Sequence, residues 1–454
     1  TVAIRAVGVV QDAPGVVDNL GTDTKDADSR KKWTGRGLVR WQPGEKWTFT
    51  GSYLKQHSKT DDAVSPDNPD GRLESDAHIQ PSPVEVDFSL ASLDARYEFD
   101  DWGTLVYQTS RQPKGAIIDL DLVSNRNTNT QVARAYGEYN IDGTTHELRL
   151  VSPDGGNWNW IVGGFMLDYS AEAIADAYIV NTDGLGLPQN LPESLYTPRG
   201  LSVLYAVVAP KAKEKSLFGE VERRLGDNWQ VTLGGRYYQT EIKGNQTLSG
   251  LLSTLYLASG GRETVVDQQD QGFSPKLAVT YKPSERWMAY ASISRGFQFG
   301  GVNGPPILSL PYNNPLTGVP VKLEYNSSTI WSHEIGVRTD WFDRTLRLDT
   351  TLFSLDWTDA QFGQSSGGTI ANNVYTDNVG QVKSQGVEMS LAWLTPIPGV
   401  TFNLNGAFVR AHTAADYDDG SGDIVPAGTQ MPASPEVQTS ASLSWTGYFG
   451  GFIP

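Results

Sequence analysis

Apolar and polar residues alternate in step along much of the chain, and the alternation restarts after each of a series of turns. From Ser328 onward, Trp331, Ile335, Val337 and Trp341 fall on one face, with Ser332, Glu334, Gly336, Arg338 and Asp340 on the other. This is the period-two signature of a strand with one oily and one charged side. The pattern returns in Trp229, Val231, Leu233 and Tyr237 against Gln230, Thr232 and Arg236, and in Val387, Met389, Leu391 and Trp393 against Glu388 and Ser390. It returns again in Val437, Ala441, Leu443 and Trp445. Full charges on an inward face are costly in a packed core, whereas the lumen of a water-filled or plugged barrel accommodates them. The pattern predicts an all-β fold, an antiparallel transmembrane β-barrel.

The connections give direction to these strands. Short turns are predicted at Pro43-Gly44-Glu45, Asp100-Asp101, Pro153 to Gly156, Gly226-Asp227-Asn228, Pro283-Ser284-Glu285, Phe342-Asp343-Arg344 and Pro396 to Gly399, because these residue types preset or tolerate turn dihedrals. Between them run long polar segments at 12–33, 58–84, 114–144, 171–212, 244–270, 299–327, 359–380 and 413–435. Short turns at one end and long loops at the other match outer-membrane barrels, with periplasmic turns and extracellular loops. About sixteen strands result, most near the roughly ten-residue length of a tilted membrane strand. Trp47, Trp102, Trp158, Trp229, Trp287 and Trp341 stand beside the short turns, as an interfacial aromatic girdle would.

Composition narrows the function. With no cysteine in 454 residues, no disulfide framework exists. A net charge of -16 argues against a nucleic-acid partner, which would need a clustered basic surface. Acidic residues gather in the loops, at Asp23, Asp26 and Asp28, at Asp61, Asp62, Asp67 and Asp70, and at Asp416, Asp418, Asp419 and Asp423. They read as solvated loop tips, and alternatively as bridges through divalent cations to lipopolysaccharide phosphates. Among His57, His78, His146, His333 and His412 no metalloprotease spacing occurs, and no phosphate-binding loop is present. No enzyme, metal site or bound cofactor is expected.

Several stretches resemble the TonB-dependent outer-membrane receptors of the iron-complex or siderophore type. They are Tyr290-Ala291-Ser292-Ile293-Ser294-Arg295-Gly296-Phe297 followed by Gly300-Gly301-Val302-Asn303, then Trp331 to Val337, Asn378-Val379-Gly380 with Ser384 to Glu388, and His146 to Pro153. Gln298 and Val302 depart from the family run, where a basic and an aromatic residue are usual. The resemblance implies a 22-stranded barrel around an N-terminal plug that contacts TonB. The chain opens at Thr1 already in a strand pattern and ends at Phe452-Ile453-Pro454 in mid-pattern. On that reading residues 1–454 form a partial barrel domain of about sixteen strands, lacking the plug and the final strands.

The resemblance also implies energy-coupled, TonB-dependent uptake of a scarce small-molecule ligand, a ferric siderophore or other iron complex, across the outer membrane of a Gram-negative bacterium. Its partners would be TonB, acting through the plug, and outer-membrane lipids and lipopolysaccharide. A passive porin without a plug is the alternative. Parity places Arg236, Tyr238, Ser294 and Gln298 on the upper lumen face as candidate ligand contacts. Glu220, Glu222, Glu334, Arg338, Arg347, Asp349 and Glu388 become candidate plug-facing wall residues. Pairing between neighbouring strands would equally account for the wall charges, and strand packing with a glycine-permitted loop entry for the Ser294 to Asn303 run.

Overall fold

A computed structural model describes residues 1–65, 71–75, 79–125, 130–153, 155–180, 187, 190–256, 262–303, 322–365, 374–419 and 423–447. Asp67, Asp70, His78 and Phe452 to Pro454 lie outside the described residues. One large antiparallel sheet holds eighteen strand segments. Tyr196–Thr197 is a two-residue flap, and Gly103–Arg111 and Lys114–Asn125 are two pieces of a single strand, both laddered to the same neighbours. That leaves sixteen staves.

In chain order they are β1 (Val2–Ala13), β2 (Arg30–Trp41), β3 (Trp47–Thr60), β4 (Val84–Phe99), the two-piece β5, β6 (Thr130–Val151), β7 (Trp158–Ile179) and β8 (Gly200–Leu225). There follow β9 (Trp229–Ser249), β10 (Arg262–Ser284), β11 (Trp287–Gln298), β12 (Ser328–Trp341), β13 (Leu346–Thr358), β14 (Gln381–Leu394), β15 (Val400–Thr413) and β16 (Val437–Trp445). Each strand pairs with the next, from β1–β2 to β15–β16. Every connection is therefore an up-and-down hairpin. Six of the seven expected short turns fall between consecutive strands, and the other, Pro283-Ser284-Glu285, begins in the last two residues of β10.

Register turns the sequence alternation into continuous rows. Val231, Val279, Ala291, Ile335, Leu352, Val387, Phe408 and Val437 stand side by side across eight strands. One residue away, Thr280, Tyr290, Gly336, Thr351, Glu388, Ala407 and Gln438 form the next row on the opposite face. The first row is an apolar hoop with Ile335 60% exposed, and the second is small, polar or charged. No helix among the described residues is long and apolar enough to cross a membrane. The chain crosses with strands, whose exposed apolar side suits hydrocarbon.

Three expected loops are in large part strand. The spans 114–144, 171–212 and 244–270 carry the upper halves of β5 to β10, and β6 to β10 run 21 to 26 residues. Beyond the apolar band the outward positions become charged, as at Lys211, Lys213, Lys215 and Lys243, so the hydropathy signal stops where the backbone ladder continues. Among the described residues, small apolar clusters form at Leu195, Leu201 and Leu251, the last on a short helix at Leu251–Tyr256, and at Val17, Ala27 and Val64.

The inner wall and the loop clasp

Along the wall, charges on neighbouring strands meet by register. Arg338 and Asp349 are direct cross-strand partners with Nε–Oδ1 at 3.1 Å, and Asp340 and Arg347 likewise at 2.9 Å. Glu220 and Lys276 flank Gly234, and because that position has no side chain their head groups join across it at 2.8 Å. Asn159 Nδ2 donates to Glu222 at 2.8 Å, and Ser332 Oγ to Glu334 at 3.1 Å. Glu334 and Glu388 have no cationic partner among the described residues.

The upper-wall candidates occupy different settings. Arg236 donates through Nη2 to Glu214, which is only 5% exposed, and its guanidinium lies 5.0 Å from the Phe165 ring centre. Tyr238 is 3% exposed, with its ring stacked 3.5 Å from Phe297 and Gly272 leaving room beneath its hydroxyl. Ser294 is half-buried beside Lys276, and Gln298 is exposed at the top of β11. Among the four, Gln298 alone is freely exposed.

Five of the six tryptophans open or close their strands beside the short turns, Trp102 lies in the turn just before β5, and all six are exposed. On one side Trp41, Phe49, Trp47, Tyr97, Phe99 and Trp102 form a chain of rings spaced 4.2 to 5.4 Å, and on the other Tyr281 lies 4.4 Å from Trp229 and 5.9 Å from Trp287. Arg223 caps Trp158 at 4.6 Å. Such amphipathic rings suit the headgroup level.

The Gly300 to Asn303 run builds a clasp between two long connections. Gly300 and Gly301 have no side chain because Tyr325 packs against both, its carbonyl on the first and its phenol on the second. Burial pushes the Tyr325 phenol above its ordinary value. Asn303, 5% exposed, donates through Nδ2 to the carbonyls of Lys322 at 2.9 Å and Thr376 at 2.8 Å, and accepts from the Thr376 amide at 2.8 Å. Asn378 holds Asn326 through both the amide, at 2.6 Å, and the carbonyl, at 2.9 Å, while Gln361 bridges the carbonyls of Phe299 and Asn326. Asn303 and Asn378 lie in the stretches that carry the family resemblance, but nothing in the sequence pattern joins them as a contact between loops.

The acidic loop tips are turn builders. Asp28 accepts the amides of Val16 and Val17 at 2.6 and 2.7 Å, Asp62 accepts from Asn19 and the Ser82 amide, and Asp416 accepts the Ala427 amide. Among the described residues, no group of three or more His, Asp or Glu could hold a metal ion.

Residues 54–453 match the sequence profile of a family described as TonB dependent receptor-like, beta-barrel. The fold is similar to the ferric yersiniabactin uptake receptor FyuA from Yersinia pestis, with a TM-score of 0.75 at 15% identity, covering 99% of this chain and 62% of that one. It is also similar to the copper transporter OprC (0.66, 13%, 98% and 60%) and to BauA, the ferric preacinetobactin receptor from Acinetobacter baumannii (0.64, 14%, 98% and 62%). The chain thus spans about three fifths of the length of these solved structures.

Proposed function

Because the chain belongs to the TonB-dependent receptor-like β-barrel family, whose members are outer-membrane transporters and not enzymes, we propose that it forms the wall of a receptor for energy-coupled uptake of a ferric siderophore or a similar metal complex. The ligand class follows the solved neighbours, which include receptors for ferric yersiniabactin and ferric preacinetobactin and a copper transporter. On this reading, a plug in the full-length protein fills the lumen, contacts TonB and meets the wall at Glu222, Glu334 and Glu388, which have no cationic partner among the described residues. Gln298, with Ser294 below it, faces the ligand, and Arg236 and Tyr238 support that surface from behind.

The observation that favours a receptor over a porin is the one-sided height of the wall. Strands β6 to β10 rise well past the roughly ten residues a bilayer needs, and the connections after β11 and β13 are clasped together. A scarce ligand must be bound before it is moved, and ordered walls and loops limit the entropy lost on binding. The test is accumulation of radiolabelled ferric siderophores in cells carrying the full-length gene, with and without TonB. Uptake that needs TonB supports the receptor. TonB-independent leakage of small solutes, with no saturable iron uptake, selects the porin.

A further inference from the structure

Unpaired cations gather on two neighbouring staves of the lumen wall. Trp41 belongs to the outward aromatic chain, so the alternate positions Arg30, Lys32, Arg36 and Arg40 of β2 face the lumen, and Arg5 of β1 joins them opposite Leu38. Elsewhere on the inner face charge is matched: Arg96, Arg149, Arg236, Lys276, Arg338 and Arg347 each reach a carboxylate. The cations on β1 and β2 have no ion-pair partner among the described residues, because the register sets neutral residues beside them. Arg40 lies between Ala3 and Thr50, Arg36 between Val7 and Leu54, and Lys32 between Gln11 and Ser58.

Their spacing makes a ladder. Arg30 and Arg40 lie near the two ends of β2, and at about 3.3 Å per residue and a tilt of about 35–45° the rise between them is about 23–27 Å, the full height of the apolar band. Arg5 fills the interval between Arg36 and Arg40 from the adjacent strand, so successive cations stand about 7–13 Å apart along the wall. That spacing is comparable to the screening length of about 8 Å at physiological ionic strength. An anion leaving one cation therefore already feels the next. Weak sites in series suit passage, because a single tight site would hold the ion.

The rest of the wall leaves this strip as the route. On β9 the inward residues Tyr238, Thr240, Ile242 and Gln246 are buried, and the chain after β11 covers part of that face. Phe297 stacks on Tyr238, Val302 takes the space beside Gly244, and Gln246 donates to the Asn303 carbonyl. By contrast Arg5, Arg30, Arg36 and Arg40 are exposed. The unpaired carboxylates Glu222, Glu334 and Glu388 stand on β8, β12 and β14, so unpaired charge of the two signs is segregated along the wall. In a chain of net charge -16, which repels polyanions over most of its surface, the β1–β2 strip attracts them.

We propose that the lumen face of β1 and β2 is a multi-site anion track, and that the complex passed along this wall carries net negative charge. The track rests on the receptor reading and adds the ligand's charge and its route. The test measures uptake and equilibrium binding of two radiolabelled iron complexes, a trianionic ferric tris-catecholate and a neutral ferric tris-hydroxamate, by cells carrying the full-length protein. Wild type should take up the anionic complex in a TonB-dependent manner. R5Q/R36Q/R40Q, which keeps the upper cations, should bind it within about twofold of wild type while its maximal uptake rate falls about tenfold or more, the scale on which a focused field raises local ion concentration. R5K/R36K/R40K should transport as wild type does, because the track acts through charge. An unchanged rate in the glutamine variant, a loss of affinity that matches the loss of rate, or a lysine variant as slow as the glutamine one overturns the track. Wild type that carries the neutral complex and not the anionic one overturns it too. So does TonB-independent entry of a large antibiotic such as vancomycin through the glutamine variant, which would make the strip the seat of the plug. Absence of TonB-dependent uptake of either complex by wild type would instead overturn the receptor reading.

Discussion

Replacing Ile335 by arginine tests the assignment of the two faces at its most sensitive point. Ile335 sits in the middle of the apolar hoop, between Ala291 and Leu352, and is 60% exposed. It lies six residues from Trp341 at the short-turn end. At about 3.3 Å per residue and a tilt of 35–45° that is a rise of about 14–16 Å, close to the centre of a band roughly 25 Å tall. An arginine at the midplane of a barrel's lipid face costs about 2–4 kcal/mol, a shift of about 30- to 900-fold in the folding equilibrium at about 1.36 kcal/mol per tenfold. The control is Ala407→Arg, on the inward row beside Glu388, where the new charge faces the lumen and should cost under about 1 kcal/mol. Reversible unfolding of the full-length protein in lipid vesicles by guanidinium measures both. If the two cost the same, or if Ala407→Arg is the worse, the faces are assigned the wrong way round.

Gly336 lies beneath the Tyr290 ring, and a Cβ there would overlap it. Gly336→Ala should therefore destabilise by about 1–3 kcal/mol, but by little in a Tyr290→Ser background, and equal costs in both backgrounds would refute the packing argument. Asn303→Ala removes three partly buried hydrogen bonds to the backbone of Lys322 and Thr376, a local loss of about 2–4 kcal/mol. Amide exchange over 322–326 and 374–378 should accelerate about 30-fold or more, and unchanged protection would remove the clasp. Burial alone would raise the Asp28 carboxyl, but the amides of Val17 and Val16 outweigh it and hold the group below its ordinary value. A carboxylate favoured in the folded state stabilises above its unfolded pKa and loses that contribution as pH falls through the folded value. A spin label at Leu20→Cys, clean because the chain has no cysteine, should gain mobility below about pH 4, and Asp28→Asn should show that mobility at neutral pH. A pH-independent spectrum in wild type would refute the role of Asp28.

The membrane-embedded half of the fold was legible because two period-two constraints act there together. Lipid demands an apolar residue at every outward position, and the lumen tolerates polarity at every inward one, so Ile335 and Glu334 declare their faces without any knowledge of their neighbours. The turns were legible for an equally local reason: Gly226 and Gly399 take positive φ, which glycine allows at no steric cost. Above the bilayer only the second constraint survives. Lys211, Lys213 and Lys215 face water on one side of β8 while Glu214 and Ser216 are buried on the other, and a strand patterned charged-out and polar-in looks like a loop to any hydropathy argument.

The candidate site shows where parity stops being informative. Parity fixes the side of a sheet on which a residue lies, but access depends on what the neighbouring strands and loops place over it. Phe297 follows Gly296 at the top of β11 and stacks on Tyr238, an interaction between residues 59 positions apart that no alternation encodes. Glu214 stands opposite Thr240, four residues along β9 from Arg236, and draws the guanidinium along the wall. Gln298, one residue beyond Phe297, is exposed because the chain turns there into the glycine pair that Tyr325 requires. The same two glycines, unremarkable as loop punctuation, thus hold open the position proposed to face the ligand and lead into the clasp at Asn303. A ligand that orders the mouth of this barrel would act on one connected unit formed by Gln298, the glycine pair and Asn303.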